Sequence, residues 1–108
     1  MKEEIMSTPS SGNVFADLGL PDAEELQAKA EIIGQIYKIR EKRGLKQKEM
    51  AELMGVSQPK VSALLKGKVE GFTIERLIQL LTRLGCDVKV VISRSRTDTI
   101  GHLTVAAH

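Results

Sequence analysis

Residues 47–67 of the chain read QKEMAELMGVSQPKVSALLKG, and this stretch decides the fold. Its apolar residues repeat at helical spacing on both sides of Gly55, which predicts two short helices. Gly55 is predicted to form the tight turn between them, because glycine permits a positive φ. Ser57 is predicted to cap the second helix, and Pro59 is tolerated in its first turn, where the amides lack intrahelical partners.

Two short helices that are joined by a tight turn, the second with a polar free face, are typical of a helix-turn-helix. In this motif the second helix enters the major groove of DNA. The pattern constrains many positions at once, so it indicates DNA binding more specifically than a lone short motif does.

The composition of the chain fits one small domain, with or without tails. Of its 108 residues 42% are hydrophobic, enough for a core and too many for a disordered chain. Aromatic residues make up only 3%, so we expect an aliphatic core and no base-stacking platform. The single cysteine, Cys86, excludes an internal disulfide and fits a reducing compartment.

The sequence indicates neither a membrane protein nor a secreted one. No apolar run approaches the roughly 20 residues that a membrane span needs. The N-terminal residues MKEE lack the basic start and apolar middle of a signal peptide. We therefore expect a cytoplasmic protein without a membrane partner.

The net charge of +2 hides an uneven distribution of charge along the chain. Residues 38–68 contain nine Lys or Arg against three Glu, whereas residues 1–37 contain two Lys against seven Asp or Glu. The basic segment coincides with the predicted helix-turn-helix, as a polyanionic partner requires. The alternative is a solvated face that happens to be basic.

Three segments are expected along the chain. Residues 1–12 are predicted to form a flexible tail, because they are rich in Ser, Thr and Pro. Residues 13–85 are predicted to form the helix-turn-helix domain with an N-terminal extension. Residues 86–108 are predicted to form a C-terminal strand and tail that serve dimerisation.

Two further helices are expected to flank the motif. The first is predicted to begin at Asp22, as its cap, and to run to about Arg43, with Gly44 as its stop. The other is predicted to run from near Thr73 to Gly85. Apolar residues cover about half of the first helix, more than one core needs, so the preceding segment, a second subunit or another protein should cover the rest.

The apolar pattern changes to a period of two after residue 86, which predicts a half-buried strand. Residues 100–105 could be a second strand or a loose tail. Because a lone strand is marginal in water, a symmetry mate is the expected partner. The dimer contacts are predicted at Leu80, Val88, Val90 and Ile92.

Residues 44–67 resemble the helix-turn-helix of the XRE-type superfamily of phage repressor and Cro-like regulators. The resemblance rests on GLKQKEMA at 44–51, GVSQ at 55–58, VSAL at 61–64 and Gly67. It implies a fold that is mainly α: a repressor-like helix-turn-helix bundle of four to five helices, to which the period-two pattern adds a C-terminal β-strand or hairpin.

The resemblance also implies roles for single residues. Gln47 would anchor a phosphate, and Gln58 would read a base, often adenine, through a bidentate pair. Ser62 completes the base-reading set, with Ser57 and Lys60 nearer the phosphates. Better-studied relatives carry polar recognition residues at three positions where this chain has Pro59, Ala63 and Leu65. The smaller base-reading set favours binding as a dimer.

Further phosphate contacts are predicted among the basic residues around the motif. They are Lys48, Lys66, Lys68, Arg40 and Arg43. The alternative for the lysines is plain solvation, and for the two arginines it is compensation of the dipole at the end of the first helix.

A wider combination of segments is similar to the HigA-like antitoxins among XRE-type regulators. It comprises NVFADLGLPDAEE at 13–25, SQPKVS at 57–62 and LGCDV at 84–88. The resemblance implies a dimer that represses its own operon and neutralises a RelE-like ribonuclease toxin. The acidic N-terminal third would bind this toxin, with Val14 and Phe15 as anchors and Glu24, Glu25 and Glu31 as the rim. The alternative is that the apolar residues of this segment simply close the domain's own core.

Nothing in the sequence indicates catalysis, a cofactor or a metal site. Cys86 is the only thiol, and His102 and His108 have no Cys or carboxylate at metal-ligand spacing. The favoured interpretation is a sequence-specific repressor that binds double-stranded DNA and acts as an antitoxin. The alternatives are a stand-alone XRE-type regulator and a protein-interaction module that does not bind DNA.

Overall fold

The computed structural model describes residues 22–95 and 100–107. The chain there forms four α-helices: α1 (Ala23–Arg43), α2 (Gln47–Met54), α3 (Gln58–Leu65) and α4 (Ile74–Arg83). A single turn of 3-10 helix, Val69–Gly71, lies between α3 and α4. The predicted flexible tail at 1–12 and the segment at 13–20 lie outside the described residues.

The first helix begins and ends at the predicted residues, but it lacks the predicted side-chain cap. Gly44 has a φ of 64°, and its amide donates to the carbonyls of Arg40 and Glu41. The prediction that Asp22 caps the helix is wrong, because its side chain accepts no capping hydrogen bond. An N-cap residue ordinarily has an extended backbone, whereas Asp22 has a φ of 55°.

All four helices contribute to one core, which is aliphatic, as the composition predicted, except for Phe72. α1 packs mainly against α4, and α2 packs against α3. The largest fully buried side chains are Ile36, Met50, Met54, Val61, Leu64, Leu77 and Leu80. Since Leu80 is 0% exposed, it belongs to the protomer's own core and is not available to a partner, contrary to its predicted role in dimerisation.

The prediction of a C-terminal strand or hairpin is wrong. Over the described residues 86–95 and 100–107 the backbone forms no strand. Val90, Val91 and Ile92 are 73%, 78% and 90% exposed, so neither face of the segment is buried. A strand requires a neighbouring backbone for its ladder of hydrogen bonds, and the alternation of apolar residues does not supply one.

Residues 100–107 lie against the N-terminal half of α1. The Leu103 amide donates to Glu24 Oε1 at 2.9 Å, and His102 Nδ1 lies 2.5 Å from Glu24 Oε2. The Leu103 hydrogen bond and, to a smaller extent, His102 hold the pKa of Glu24 below its ordinary value. Val105 packs against the core, so the segment contacts the domain at residues 102, 103 and 105.

None of the helices in the described part of the chain is long and apolar enough to cross a membrane.

Candidate DNA-binding interface

The turn between α2 and α3 has the geometry that the sequence predicted. Gly55 has a φ of 72°, a conformation that glycine adopts without steric cost. The amides of Gly55 and Val56 both donate to the carbonyl of Ala51, at 2.9 and 3.1 Å. These bonds close the last turn of α2 and direct the chain into α3, which completes a helix-turn-helix.

The first turn of α3 presents polar side chains to solvent. Ser57 caps the helix, and its hydroxyl oxygen accepts a hydrogen bond from the Lys60 amide at 3.4 Å. Gln58 and Lys60 are exposed, whereas Val61 is completely buried. The helix is therefore fixed to the core by one face and displays its N-terminal polar residues on the other.

The first turn of α2 is stabilised by a residue that the sequence analysis did not single out. The Glu49 carboxylate accepts a hydrogen bond from the Lys46 amide at 2.8 Å, the reciprocal half of a capping box. Gln47, the first residue of α2, is partly exposed, and Lys48 is exposed. The two predicted phosphate contacts on α2 thus lie at its N-terminal end.

A shallow cleft brings the N-terminal parts of α2 and α3 together. Three predicted DNA contacts, Lys48, Ser57 and Gln58, share its wall. Its full lining is Lys48, Ala51, Glu52, Gly55, Val56, Ser57 and Gln58. The predicted base reader is therefore flanked by a lysine and by a helix N-terminus, both of which favour negative charge.

Three more predicted contacts lie further along α3 and beyond its end. Ser62 is partly exposed, and Lys66 and Lys68 are exposed. The predicted positive charge of this region therefore continues past the C-terminal end of α3.

The two predicted phosphate contacts on α1 lie elsewhere. Arg43 Nη1 donates to the carbonyl of Leu84, the C-cap residue of α4, at 3.1 Å. Arg43 therefore joins α1 to the negative end of the α4 dipole. This is similar to the alternative role of dipole compensation, but at the end of α4 and not of α1. Arg40 lines a second cleft with Tyr37 and Leu45, separate from the cleft of Gln58.

The three predicted rim carboxylates on α1 are exposed, and each has a partner within the chain. Glu24 binds residues 102 and 103, and Glu25 lies 3.4 Å from Lys29 Nζ. Glu31 accepts a hydrogen bond from the side-chain amide of Gln27, Nε2, at 2.9 Å. The predicted anchors Val14 and Phe15 lie outside the described residues.

Two residues outside the motif contact it, and the sequence analysis missed both contacts. Arg83 of α4 lies over the turn: a Cβ atom added to Gly55 would lie 3.3 Å from Arg83 Cζ. The Tyr37 hydroxyl donates to the carbonyl of Leu65, 28 residues away. Such pairs join distant segments, and no local pattern in the sequence signals them.

A metal site is not formed by the residues that the structure describes, among which no three His, Cys, Asp or Glu side chains lie close enough together.

The geometry of α2, the turn and α3 defines the class as a helix-turn-helix DNA-binding protein. Residues 14–93 match the family model described as a helix-turn-helix domain, and the chain belongs to this family. No curated protein matches the chain.

A similar solved structure indicates which group of helix-turn-helix proteins the chain belongs to. It is described as an XRE family transcriptional regulator and is 39% identical to the chain, covering 82% of this chain and 100% of its own, with a TM-score of 0.75. The chain is an XRE-type helix-turn-helix protein, and the family makes it a DNA-binding transcriptional regulator.

Proposed function

We propose that the protein is a sequence-specific repressor that reads double-stranded DNA through the exposed face of α3. The observation that carries the proposal is the cleft where Gln58 lies beside Lys48 and the capped N-terminus of α3. A glutamine amide pairs bidentately with the N6 and N7 edge of adenine in the major groove. Ser62, one turn further along α3, is the second proposed base contact.

The proposed phosphate contacts flank the base-reading residues. Gln47 and Lys48 would contact the backbone from the N-terminus of α2, and Ser57 and Lys60 from that of α3. Lys66 and Lys68 would contact it beyond the end of α3, and Arg40 from its separate cleft. Arg43 is the weakest candidate, because one of its nitrogens is already bound to Leu84.

The thin polar face of α3 supports binding as a homodimer. Two base-reading residues distinguish only a few base pairs, whereas two α3 helices about 34 Å apart would read two half-sites on one side of the duplex. The exposed side chains of Val88, Val90 and Ile92 are the proposed apolar contacts between protomers.

We further propose that the regulator is an antitoxin that represses its own operon. The acidic side chains of Glu25 and Glu31 stay exposed on α1, and opposite charge would steer a basic RNA-binding toxin toward them. Binding through Glu24 would require residues 102 and 103 to be displaced first. The stand-alone regulator remains the alternative.

Selection from a pool of random duplexes tests the repressor function. The wild-type protein should enrich a two-fold symmetric site, and its affinity for that site should fall steeply with salt, because lysines that reach phosphates release counterions. Sedimentation should show a dimer on the selected duplex. Enrichment of no sequence, or a monomer both with and without DNA, would refute the corresponding part of the proposal.

Coexpression with the product of a small, basic reading frame in the same operon tests the antitoxin function. Glu25→Lys and Glu31→Lys should weaken the complex, whereas Glu52→Lys, a change of the same charge at an exposed residue of α2, should not. Equal binding of all three variants would exclude this face, and the absence of any complex would favour the stand-alone regulator.

A further inference from the structure

The C-terminal end of α3 is completed by a residue of another helix. The last carbonyls of a helix lack intrahelical partners and need other donors. The carbonyls of residues 62–64 accept hydrogen bonds from the amides of residues 66–68, at 3.0–3.2 Å. The carbonyl of Leu65 is bound instead by the Tyr37 hydroxyl of α1.

The helix that carries Tyr37 is a firm support for this hydrogen bond. Ile36, directly before Tyr37, is completely buried, and Ile33, one turn earlier, is 2% exposed. The Tyr37 ring itself is 38% exposed, so it lies at the edge of the core with its hydroxyl toward α3. The position of the hydroxyl is therefore set by α1 and not by α3.

The Tyr37 hydrogen bond adds a directional contact to the apolar packing that holds α3. Val61 and Leu64 hold α3 to the core by contacts that have no strong directional preference. α3 has eight residues, so it is about 11 Å long, and a tilt of about 5° at one end moves the other by about 1 Å. A shift of that size breaks the geometry of a bidentate hydrogen bond from Gln58 to a base.

We propose that Tyr37 is a positioning residue for DNA recognition, which sets the tilt of α3 by binding the Leu65 carbonyl. The inference rests on the proposed base-reading role of α3. The same hydrogen bond lies at the start of the turn formed by residues 66–68, so the exchange of their amides reports on it. The proposal attributes the effect of Tyr37 to the position of α3 and not to a contact with DNA.

The test compares Tyr37→Phe with Thr82→Val. Tyr37→Phe keeps the ring and removes the hydroxyl. Thr82→Val removes another hydroxyl that donates to a backbone carbonyl, that of Gln79 at 2.7 Å, but within α4. Affinity is measured for the duplex that the wild-type protein selects and for a scrambled duplex, and amide hydrogen exchange is measured at residues 66–68.

Tyr37→Phe should lower affinity for the selected duplex roughly fivefold, the value of one net hydrogen bond, and leave the scrambled duplex within about twofold. Exchange at residues 66–68 should rise by a similar factor. Thr82→Val should change neither quantity. The ratio of the two affinities is informative because partial unfolding would lower both equally.

Two results would overturn the inference: unchanged exchange at residues 66–68 in Tyr37→Phe, or equal loss of affinity on both duplexes. A wild-type protein that selects no sequence refutes the proposed function instead. The exchange rates then decide by themselves whether Tyr37 fixes the end of α3.

Discussion

Replacement of Gly55 by alanine tests the geometry of the turn that directs α3. Gly55 has a φ of 72°, and this left-handed conformation costs an alanine about 1–2 kcal/mol. The new Cβ would also lie 3.3 Å from Arg83 Cζ. Arg83 is exposed and its guanidinium can move, so this contact should add only a few tenths of a kcal/mol. We expect Gly55→Ala to lower the free energy of unfolding by about 1–2 kcal/mol.

Two other glycines supply matched controls. Gly44 has a φ of 64° and nothing within 4 Å of a new Cβ, so Gly44→Ala should show the backbone cost alone. Gly34 lies inside α1 without a positive φ and also has an open Cβ position. Gly34→Ala should stabilise the protein by about 0.5–1 kcal/mol, because alanine favours a helix interior.

Urea denaturation of the three variants measures these differences as shifts in the midpoint at constant slope. The excess cost of Gly55→Ala over Gly44→Ala should disappear when both are made in an Arg83→Ala background, since the neighbouring side chain is then gone. A Gly55→Ala protein with the wild-type midpoint would contradict the left-handed turn, and an excess that persists without Arg83 would contradict the contact.

Three further outcomes are expected. Lys60→Ala should weaken binding to every duplex and reduce the slope of log affinity against log salt by about one unit, as measured by titrations at several salt concentrations. Thr73→Ala should cost about 1 kcal/mol in urea denaturation, because it removes the hydroxyl that caps α4. The Leu103 amide holds the pKa of Glu24 below its ordinary 4.5, so the contribution of Glu24 to the attachment of residues 100–107 should be fully present above pH 4.5 and be lost as the pH falls through the lowered pKa. The Leu103 amide resonance followed against pH should show this loss, and Glu24→Gln should abolish the pH dependence.

Local signals in the sequence were sufficient to predict the helix-turn-helix. The turn at Gly55, the cap at Ser57 and the start of α4 near Thr73 are all confirmed. Each depends on residues within a few positions of one another, such as a glycine that can adopt a positive φ or a hydroxyl three residues before an amide. Val61 and Leu64, which lie three residues apart and so share one face of α3, are likewise both buried.

The errors concern features that depend on distant partners. The alternation at residues 88–92 expresses a preference for strand pairing, but pairing also requires a second backbone. Leu80 is predicted to contact a second protomer because it widens the apolar face of α4. In the structure this broad face is buried in the core of the protomer itself. The hydrogen bonds of Tyr37, Arg43 and Glu24 span 28, 41 and up to 79 residues, beyond the reach of any periodic pattern.

Base preference of a Gln58→Ala variant is the most direct test of DNA reading by α3. Affinities are measured for the selected duplex, for its single-base variants and for a scrambled duplex, with Gln79→Ala, an exposed glutamine of α4, as the control. Gln58→Ala should lose discrimination at one position in each half-site, by roughly 1–3 kcal/mol, and bind the scrambled duplex as the wild type does. Equal losses on selected and scrambled duplexes would contradict a base-reading role for Gln58.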